Sequence, residues 1–441
     1  PIPSQMEHAQ YAFGVRDYIR YENLLDSIRW DINDFVDWVA SDNPRTKYRN
    51  LITQSGGDTS DYPENALETV FYPTNKIRLP VNKENVIKSG LVKEKDSDLI
   101  LDYIDIDLPE SIITKNQIMM LDILANNNWE RPIYFTGGSY EESEYIWMKD
   151  YLQLDGLVYK LVPIKTSIEN NPYEMGRIDS DLMYNIVKKW SWGNSESDEI
   201  YHDPETRKNS ISFRGNLSRL SEKLISEGEY EKAEEILDLA FSKMPIDYYG
   251  YYSLWTPLVK SYYDIGKSEK VKEIVQKLSF KYSDRLSYFS SLEIFNQYDV
   301  GEEIISDIER FRNLIETIQE SGEREILADQ IKSFISSSEQ FNYIYGEYDY
   351  YISLSNFLVS LLELNEVEYS MSVIDKIEEQ LIRRVSVFSN IDEDEQVYYL
   401  EGITSDINQY SRLINQIEVY DIDAYNKYDK NLKDMLARMI E

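Results

Sequence analysis

Two aspartates separated by one residue, Asp105 and Asp107, form the acidic pair whose spacing best suits chemistry. Side chains two residues apart on a strand lie on the same face, so these carboxylates would stand side by side and could bind a divalent cation. A chain with 80 acidic residues also produces such pairs by chance, and the pair equally fits an ordinary strand end. We therefore predict a strand at residues 98–106 and assign no metal ligand.

Other catalytic patterns are weak. The two histidines, His8 and His202, lie far apart in the chain, so a histidine-based triad or a zinc site with several histidines is not expected. His202 is followed by Asp203 and Glu205, a group that fits either a cation site or a polar turn. The glycines at 137–138 fit a β-turn, because no phosphate-binding pattern surrounds them. The absence of cysteine excludes thiol nucleophiles, thiolate metal sites and disulfides.

The composition is strongly acidic, with 46 basic and 80 acidic side chains and a net charge of −34. This charge disfavours nucleic acids and anionic membranes, and it favours a solvated surface or a basic partner. No run of about 18 apolar residues occurs, so we predict no transmembrane span in these residues. The chain begins at Pro1 without an initiator methionine or signal peptide, and we expect a fragment or a processed product.

The elements that would position these groups centre on residues 113–165. Thr114 and Gln117 have the spacing of a capping box ahead of an apolar series, which predicts a helix that ends at the asparagines 126–128. Residues 133–135 predict a buried strand and residues 157–162 a second strand. The predicted centre is thus helix, strand, connection, strand.

Two segments of this centre carry a family resemblance, ANNNWERPIYFTGG at 125–138 and DYLQLDGLVYKLVPIK at 150–165. They resemble the C-terminal extramembrane part of a family of large membrane proteins of Gram-negative bacteria. Those proteins are similar to GT-C glycosyltransferases of the protein O-mannosyltransferase kind. Blocks at 10–19, 36–47 and 71–90 extend the similarity to roughly residues 3–165, about a third of the chain.

The resemblance implies a membrane glycosyltransferase whose catalytic acidic residue lies on an extramembrane loop near its first membrane helices. That part does not occur in this sequence, so no catalytic residue is carried over to it. The Asp105 and Asp107 pair is also similar to the Asp-x-Asp pairs of nucleotide-sugar glycosyltransferases.

Further elements of the N-terminal part follow from periodicity and turn signals: helices at 5–21 and 31–39, a strand at 77–81, a helical turn at 85–88 and a helix at 181–190. The loop at 55–65 is a surface excursion or a mobile lid. Strands that alternate with helices indicate a small mixed α/β layer, which in this chain could be incomplete.

The C-terminal half shows internal repetition. Apolar, small and turn residues recur at the offsets of a tetratricopeptide repeat: Leu217, Leu220, Leu224, Gly228, Tyr230, Ala233, Leu237, Ala240 and Pro245. A second set repeats most of these offsets 38 residues later: Trp255, Leu258, Tyr262, Gly266, Val271, Val275 and Leu278. Less regular helices are predicted at 302–320, 325–343, 350–364, 366–387, 394–417 and 424–440. An α-solenoid or an irregular helical array is expected.

The predicted fold class is α+β. We divide the chain into an α/β domain at 1–165, a polar linker with one helix at 166–209 and a TPR-like repeat domain at 210–441.

The function expected from sequence is that of a non-catalytic, periplasmic part of a GT-C-like membrane glycosyltransferase, with a helical surface for a partner or an acceptor protein. Its other partner would be the membrane-embedded part of the same polypeptide, and no nucleic acid or cofactor is expected. Candidate contact residues are Trp129, Arg131, Tyr134, Tyr151, Trp255 and Tyr262, each of which also fits ordinary packing. The alternatives are a freestanding repeat scaffold and a hydrolase or sugar-active enzyme that uses paired carboxylates.

Overall fold

The computed structural model describes residues 18–25, 28–136, 144–166 and 175–440. The chain divides into two compact units, Pro1–Ser191 and Trp192–Glu441. In the described residues, the first unit mixes short strands with helices and the second is helical, which confirms the predicted α+β class. The division lies within the segment that was expected to be a linker. The exact domain bounds proposed from sequence stay a prediction.

Short strands build the described part of the N-terminal unit. They are β1 (Tyr18–Tyr21), β2 (Trp30–Asp31), β3 (Phe71–Tyr72), β4 (Lys76–Pro80), β5 (Tyr103–Asp107), β6 (Ile112–Thr114), β7 (Tyr134–Thr136), β8 (Leu152–Asp155) and β9 (Val158–Leu161). They form three separate sheets with the orders β3-β1-β6, β2-β4-β5 and β7-β9-β8. The β1–β3 and β2–β4 pairs are parallel and the other pairs are antiparallel. In place of the single layer expected from sequence, the described residues form two small mixed sheets and one antiparallel sheet.

Short helices connect these strands. The α-helices are α1 (Ile32–Ala40), α2 (Tyr48–Gln54), α3 (Glu64–Leu67), α4 (Lys83–Lys88), α5 (Lys115–Asn127) and α6 (Ser180–Val187). The 3-10 helices are Pro44–Thr46, Thr59–Asp61, Glu94–Leu99 and Glu144–Tyr151. The helix predicted at 31–39 is present as α1, and its apolar face is buried at Ile32, Phe35, Val36 and Val39.

The predicted central helix is confirmed as α5. The Thr114 N–H donates to Gln117 Oε1 at 2.8 Å, as the predicted capping box requires. The helix ends where Asn128 adopts the left-handed conformation, with φ of 47°.

Two expectations for the adjoining sheet need correction. β7 is a strand, but it is not buried, because it pairs only with β9 at the sheet edge and leaves Tyr134 49 % exposed. The connection between the two predicted strands contains a third strand, β8, which pairs with β9 from Leu152 to Asp155. The prediction from sequence therefore did not include β8, the other edge strand of this sheet.

Three further boundaries differ from expectation. Residues 94–99 are a 3-10 helix, so the strand predicted from residue 98 begins only at Tyr103. Residues 18–21, predicted as helical, form β1, because pairing with β3 and β6 outweighs their local periodicity. The rest of that predicted helix, His8 and the glycines at 137–138 lie outside the described residues. The predicted helix at 181–190 ends earlier, at Val187.

The C-terminal unit consists of helices in its described residues. They are α7 (Pro204–Ser226), α8 (Tyr230–Lys243), α9 (Ile246–Tyr249), α10 (Thr256–Asp264), α11 (Ser268–Ser290), α12 (Ile294–Asp299), α13 (Gly301–Glu320), α14 (Leu327–Ser338), α15 (Asn342–Tyr345), α16 (Glu347–Ile352), α17 (Ser355–Glu363), α18 (Val367–Ser389), α19 (Glu393–Ile417) and α20 (Ile422–Ile440). The 3-10 helices are Tyr252–Trp255 and Glu339–Phe341.

The helix pairs predicted from repetition are present at α7–α8 and α10–α11. Gly228 and Gly266 follow the first helix of each pair with φ of 78° and 74°, in the left-handed region that ends helices. The predicted apolar positions of both pairs are buried: Leu217, Leu220, Leu224, Ala233, Leu237, Ala240, Trp255, Leu258, Tyr262, Val271, Val275 and Leu278. Tyr230 differs, because its ring is 54 % exposed.

The later helices follow the predicted segments with two interruptions. Residues 325–343 contain α14, a 3-10 turn and the start of α15, while residues 350–364 contain the end of α16 and α17. In the described part of the chain, no helix combines the length and the apolar character needed to cross a bilayer.

A row of aromatic rings crosses successive helices of this unit. Tyr252 contacts Tyr282 of α11, with ring centroids 5.8 Å apart, and Tyr282 stacks on Phe311 of α13 at 5.4 Å. Phe311 meets Phe334 of α14 at 5.4 Å, and Phe334 meets Phe357 of α17 at 5.7 Å. We call this series the aromatic row. It joins helices that are distant in sequence into one core.

Candidate functional site

A groove in the C-terminal unit runs between the end of α13, the helix α17 and the second half of α19. Its volume is about 670 Å³, within the range of ligand sites in proteins. The helices come together there because their apolar faces are buried, for example at Leu358 of α17 and Leu413 of α19. The polar faces of the same helices then line the opening.

Four amide side chains contribute to the polar lining of the groove: Gln319, Asn356, Gln409 and Gln416. An amide side chain offers both hydrogen-bond donors and an acceptor. Gln319 Nε2 donates to Ser360 Oγ at 2.7 Å, which fixes that amide across α13 and α17. Gln416 has no partner among the described residues, and its side chain is exposed.

The charges of the groove balance one another. Its cations are Arg324 and Arg412, and its anions are Glu323 and Glu363. Arg324 and Glu363 approach to 3.9 Å, but both are half exposed or more, so this pair contributes little stability. Arg412 has no partner within the described residues and is exposed. The groove therefore presents amides and one unpaired cation rather than a cluster of acids or bases.

A second depression of about 550 Å³ continues the groove along α19. Both are lined by Gln409 and Arg412, so they form one elongated surface. Its far end includes Val397 and Leu400, which are 72 % and 50 % exposed. We call the combined feature the α19 groove. It offers hydrogen bonding in the middle and apolar contacts at one end.

The acidic pair Asp105 and Asp107 is not an open metal site. Arg78 donates to both oxygens of Asp105, from Nε at 2.7 Å and from Nη2 at 3.0 Å. Arg29 Nη2 contacts Asp107 Oδ1 at 2.9 Å, and Arg29 Nε lies 3.5 Å from Asp105. Burial alone would raise the pKa of Asp105, but these guanidinium groups lower it below its usual value. Two arginines thus occupy the directions in which a cation would bind.

The described residues contain no group of three or more His, Cys, Asp or Glu side chains that could hold a metal ion. His202 lies in the C-terminal unit, where its ring stacks on Tyr248 at 5.6 Å and its Nε2 contacts the Ser197 carbonyl at 3.0 Å. Asp203 caps α7, because its carboxylate accepts from the Thr206 N–H at 2.9 Å. This segment is therefore a helix start.

Four of the six contact residues proposed from sequence lie in the N-terminal unit. Trp129 is buried, and its indole N–H donates to the Pro80 carbonyl at 2.7 Å. Tyr151 is buried as well, and its hydroxyl accepts from the Asp105 N–H at 3.3 Å. Arg131 and Tyr134 are exposed on the segment that leads into β7 and on β7 itself, and partial burial raises the pKa of Tyr134. These two are the members of the set that a partner could reach directly.

The other two, Trp255 and Tyr262, meet in the C-terminal unit through Phe241. The Phe241 ring stacks on Trp255 at 4.3 Å and lies 5.6 Å from Tyr262. Both proposed contact residues are buried, and the Tyr262 hydroxyl donates to Asp238 at 2.6 Å. They pack the first helix pairs, and their role in partner contact stays a prediction.

The residues of the α19 groove were not singled out from the sequence. One signal was available, because Gln409, Arg412 and Gln416 are three and four positions apart and so share one helical face beside buried Leu413. No comparable signal links Gln319 or Asn356 to that face, since only the packing of separate helices brings them together.

Comparison with known protein families connects the N-terminal part of the chain to a described family. Residues 1–182 match the model of TMEM260-associated domain 2. The match covers less than half of the chain and suggests a TMEM260-like family for this part. Searches of curated proteins and of solved structures gave no match. The α19 groove lies outside the matched residues.

Proposed function

We propose that this chain is a non-catalytic, extramembrane part of a GT-C-like membrane glycosyltransferase, and that the α19 groove binds a segment of an acceptor or partner polypeptide. The observation that carries the proposal is the lining of the groove, in which amides stand among hydroxyl and charged side chains on packed helices. The family match of residues 1–182 supports the link to a membrane protein. We further infer that the helix pairs are TPR-like and that the chain lies on the periplasmic side.

The amides suit an unfolded polypeptide better than a small metabolite. Each residue of an extended peptide presents one N–H and one carbonyl that need partners. Gln409 and Gln416 can each donate and accept, and they lie two helical turns apart along α19. A peptide that follows the groove would reach Val397 and Leu400 with an apolar side chain.

The net charge of the chain favours some of these peptides over others. The chain carries −34, so its long-range field attracts a basic segment and repels an acidic one. The α19 groove itself has only a small charge imbalance, two arginines against three glutamates, so this preference would act mainly on the association rate and would weaken with salt. A basic segment that carries an apolar side chain for the Val397 end of the groove therefore fits the proposal best.

The test is a binding measurement with defined peptides. A short fluorescein-labelled peptide of Lys, Leu, Ser and Gly, and its counterpart with Glu in place of Lys, are titrated with the 441-residue chain by fluorescence anisotropy. We expect the basic peptide to bind and the double substitution Gln409→Ala with Gln416→Ala to weaken it about tenfold, through the loss of two hydrogen bonds. Gln276→Ala, an exposed glutamine on α11, is the matched control.

Equal affinity of the double variant and the wild type would refute the groove assignment, as would failure of the basic peptide to bind. The membrane part of the proposal is tested separately by the reading frame that contains Pro1 and by the fractionation of the native protein. Apolar spans of about 20 residues upstream, with the protein in the membrane fraction, would support it. A native protein without such spans would instead match the freestanding scaffold.

A further inference from the structure

A second cavity of the C-terminal unit lies away from the α19 groove. It has a volume of about 500 Å³ and is enclosed by the start of α7, the segment before α10, the middle of α11 and the first half of α13. Tyrosine rings form much of its wall, among them Tyr251, Tyr252 and Tyr282. Its charged groups are mostly arginines. We call this feature the Arg-Tyr pocket.

The charge of the Arg-Tyr pocket opposes that of the chain. Arg207, Arg285 and Arg310 line it, and Asp307 is its one lining carboxylate among the described residues. Arg285 Nε and Arg310 Nη1 contact Asp307 at 2.6 and 3.3 Å, so one carboxylate faces two guanidinium groups. Arg207 has no carboxylate partner in the described part of the chain, and its buried Nε has no hydrogen-bond partner. The lining therefore carries an excess of positive charge in a chain of net charge −34.

A fourth guanidinium lies beneath the wall. Arg214 is completely buried, and its Nη1 donates to the carbonyls of Gly250 and Tyr251 at 2.6 and 3.4 Å. Burial lowers the pKa of Arg214 to about 10, so it remains charged at neutral pH. Asp247 of the neighbouring helix α9 already forms ion pairs with Lys277 and Lys281.

One buried hydroxyl is evidence for a bound ligand that does not depend on the arginines. Tyr282 is 1 % exposed and lines the pocket, yet its hydroxyl has no hydrogen-bond partner among the described residues. Leaving a buried hydroxyl unsatisfied is costly, and native structures pair most such groups. An anion bound in the pocket would offer acceptor oxygens to this hydroxyl and to the Arg207 Nε, since both residues line it.

We infer that the Arg-Tyr pocket binds a small ligand through an oxyanion group, a phosphate or a carboxylate, with Tyr251 and Tyr252 covering the rest of the molecule. Guanidinium groups match both oxyanions, because their planar donors bind two oxygens at once. The cavity volume fits a small molecule rather than a protein segment. This site shares no residue with the α19 groove and does not depend on the function proposed for it.

The test is isothermal titration calorimetry of the 441-residue chain with inorganic phosphate, phenyl phosphate and acetate, at an ionic strength held constant with chloride. We expect phosphate or acetate to bind, and the better of the two identifies the oxyanion. Phenyl phosphate should bind more tightly than phosphate, because Tyr251 and Tyr252 would cover its phenyl ring. Arg207→Gln should weaken the binding about tenfold, the loss expected for one charge-assisted hydrogen bond.

Tyr282→Phe keeps the inference testable if the arginine variant folds poorly. It removes only the unpartnered hydroxyl, so the thermal midpoint without ligand should not fall, while the affinity should drop severalfold. Two matched controls should leave the affinity unchanged: Arg383→Gln, an exposed arginine of α18, and Tyr350→Phe, whose hydroxyl already contacts Ser338 at 2.7 Å. The inference is overturned if neither anion binds, or if Arg207→Gln and Tyr282→Phe bind it as the wild type does.

Discussion

The guanidinium carbon of Arg214 lies 4.4 Å from the centroid of the Trp255 ring, and both side chains are completely buried. No carboxylate among the described residues pairs with this arginine. Its charge is instead held by the ring face and by the carbonyl of Gly250, a residue whose φ of 63° and ψ of −149° are accessible essentially to glycine alone. A charged group thus serves as a packing element of the first helix pairs.

We predict that Arg214→Ala lowers the free energy of unfolding by about 2 to 4 kcal/mol, because it removes the ring contact and leaves a cavity. Urea unfolding followed by circular dichroism measures the change. The control is Arg383→Ala, whose side chain is 61 % exposed and whose loss should change stability by less than about 0.5 kcal/mol. Equal effects of the two substitutions would show that Arg214 does not hold the core.

The stability that Asp105 contributes should depend on its contact with Arg78 and not on metal ions. Asp105→Asn is expected to lower stability by about 1 to 3 kcal/mol, since it weakens the two charge-assisted hydrogen bonds from Arg78. Thermal unfolding with and without Mn²⁺ tests the second half of the prediction, because the ion should shift neither the wild type nor the variant. A rise in the wild-type midpoint on addition of Mn²⁺, absent from Asp105→Asn, would restore the metal-site interpretation.

Asp179 gives the N-terminal unit a defined pH dependence. Burial alone would raise its pKa, but the Lys93 ammonium at 2.7 Å and the Leu182 N–H lower it below the ordinary 3.8. A carboxyl with a lowered folded-state pKa stabilises the fold above its unfolded-state pKa, and that stability is lost as the pH falls through the folded-state value.

Asp179→Asn should therefore cost about 1 to 3 kcal/mol near pH 7, and the cost should shrink in more acidic solution, below the ordinary pKa of Asp. Asparagine caps helices as well as aspartate does, so the substitution isolates the contact with Lys93. The half-exposed Asp181 supplies the control Asp181→Asn. A difference between wild type and Asp179→Asn that does not change with pH would contradict this assignment.

Tyr410 shows what a buried tyrosine hydroxyl contributes when it has a partner. It donates to Glu378 Oε1 at 2.9 Å, and both residues are buried. Tyr410→Phe leaves this carboxylate with only the Asn431 amide as its donor in the described residues, and we expect a loss of about 1 to 3 kcal/mol in urea unfolding. Tyr398→Phe, at a residue 84 % exposed, should have no measurable effect. Similar losses for both would mean that the hydroxyl of Tyr410 is not the cause.

The sequence predicted the helical half well because its signals are local. Gly228 and Gly266 mark helix ends by their own conformational freedom, and the apolar spacing around Leu220 and Leu258 follows the helical period. Such signals need no knowledge of the rest of the fold. The helices therefore lie close to their predicted bounds.

The sheets and the two candidate sites were harder to predict because they depend on long-range pairing. Residues 18–21 become a strand only when β3 and β6 lie beside them, and β7 is exposed only because nothing else pairs with its outer edge in the described residues. Arg207 and Tyr282 meet in one pocket although 74 residues separate them. The spacing of these residues along the chain therefore does not predict that they line the same pocket.

The aromatic row affects how the C-terminal unit unfolds. In an array whose neighbours touch only locally, the ends can melt while the middle survives, so unfolding spreads over a broad range of temperature. The rings from Tyr252 through Phe311 to Phe357 connect α11, α13, α14 and α17, so none of these four helices can leave without opening an apolar void. This stretch should exchange its amide hydrogens as one cooperative block, while α20 at the edge exchanges earlier.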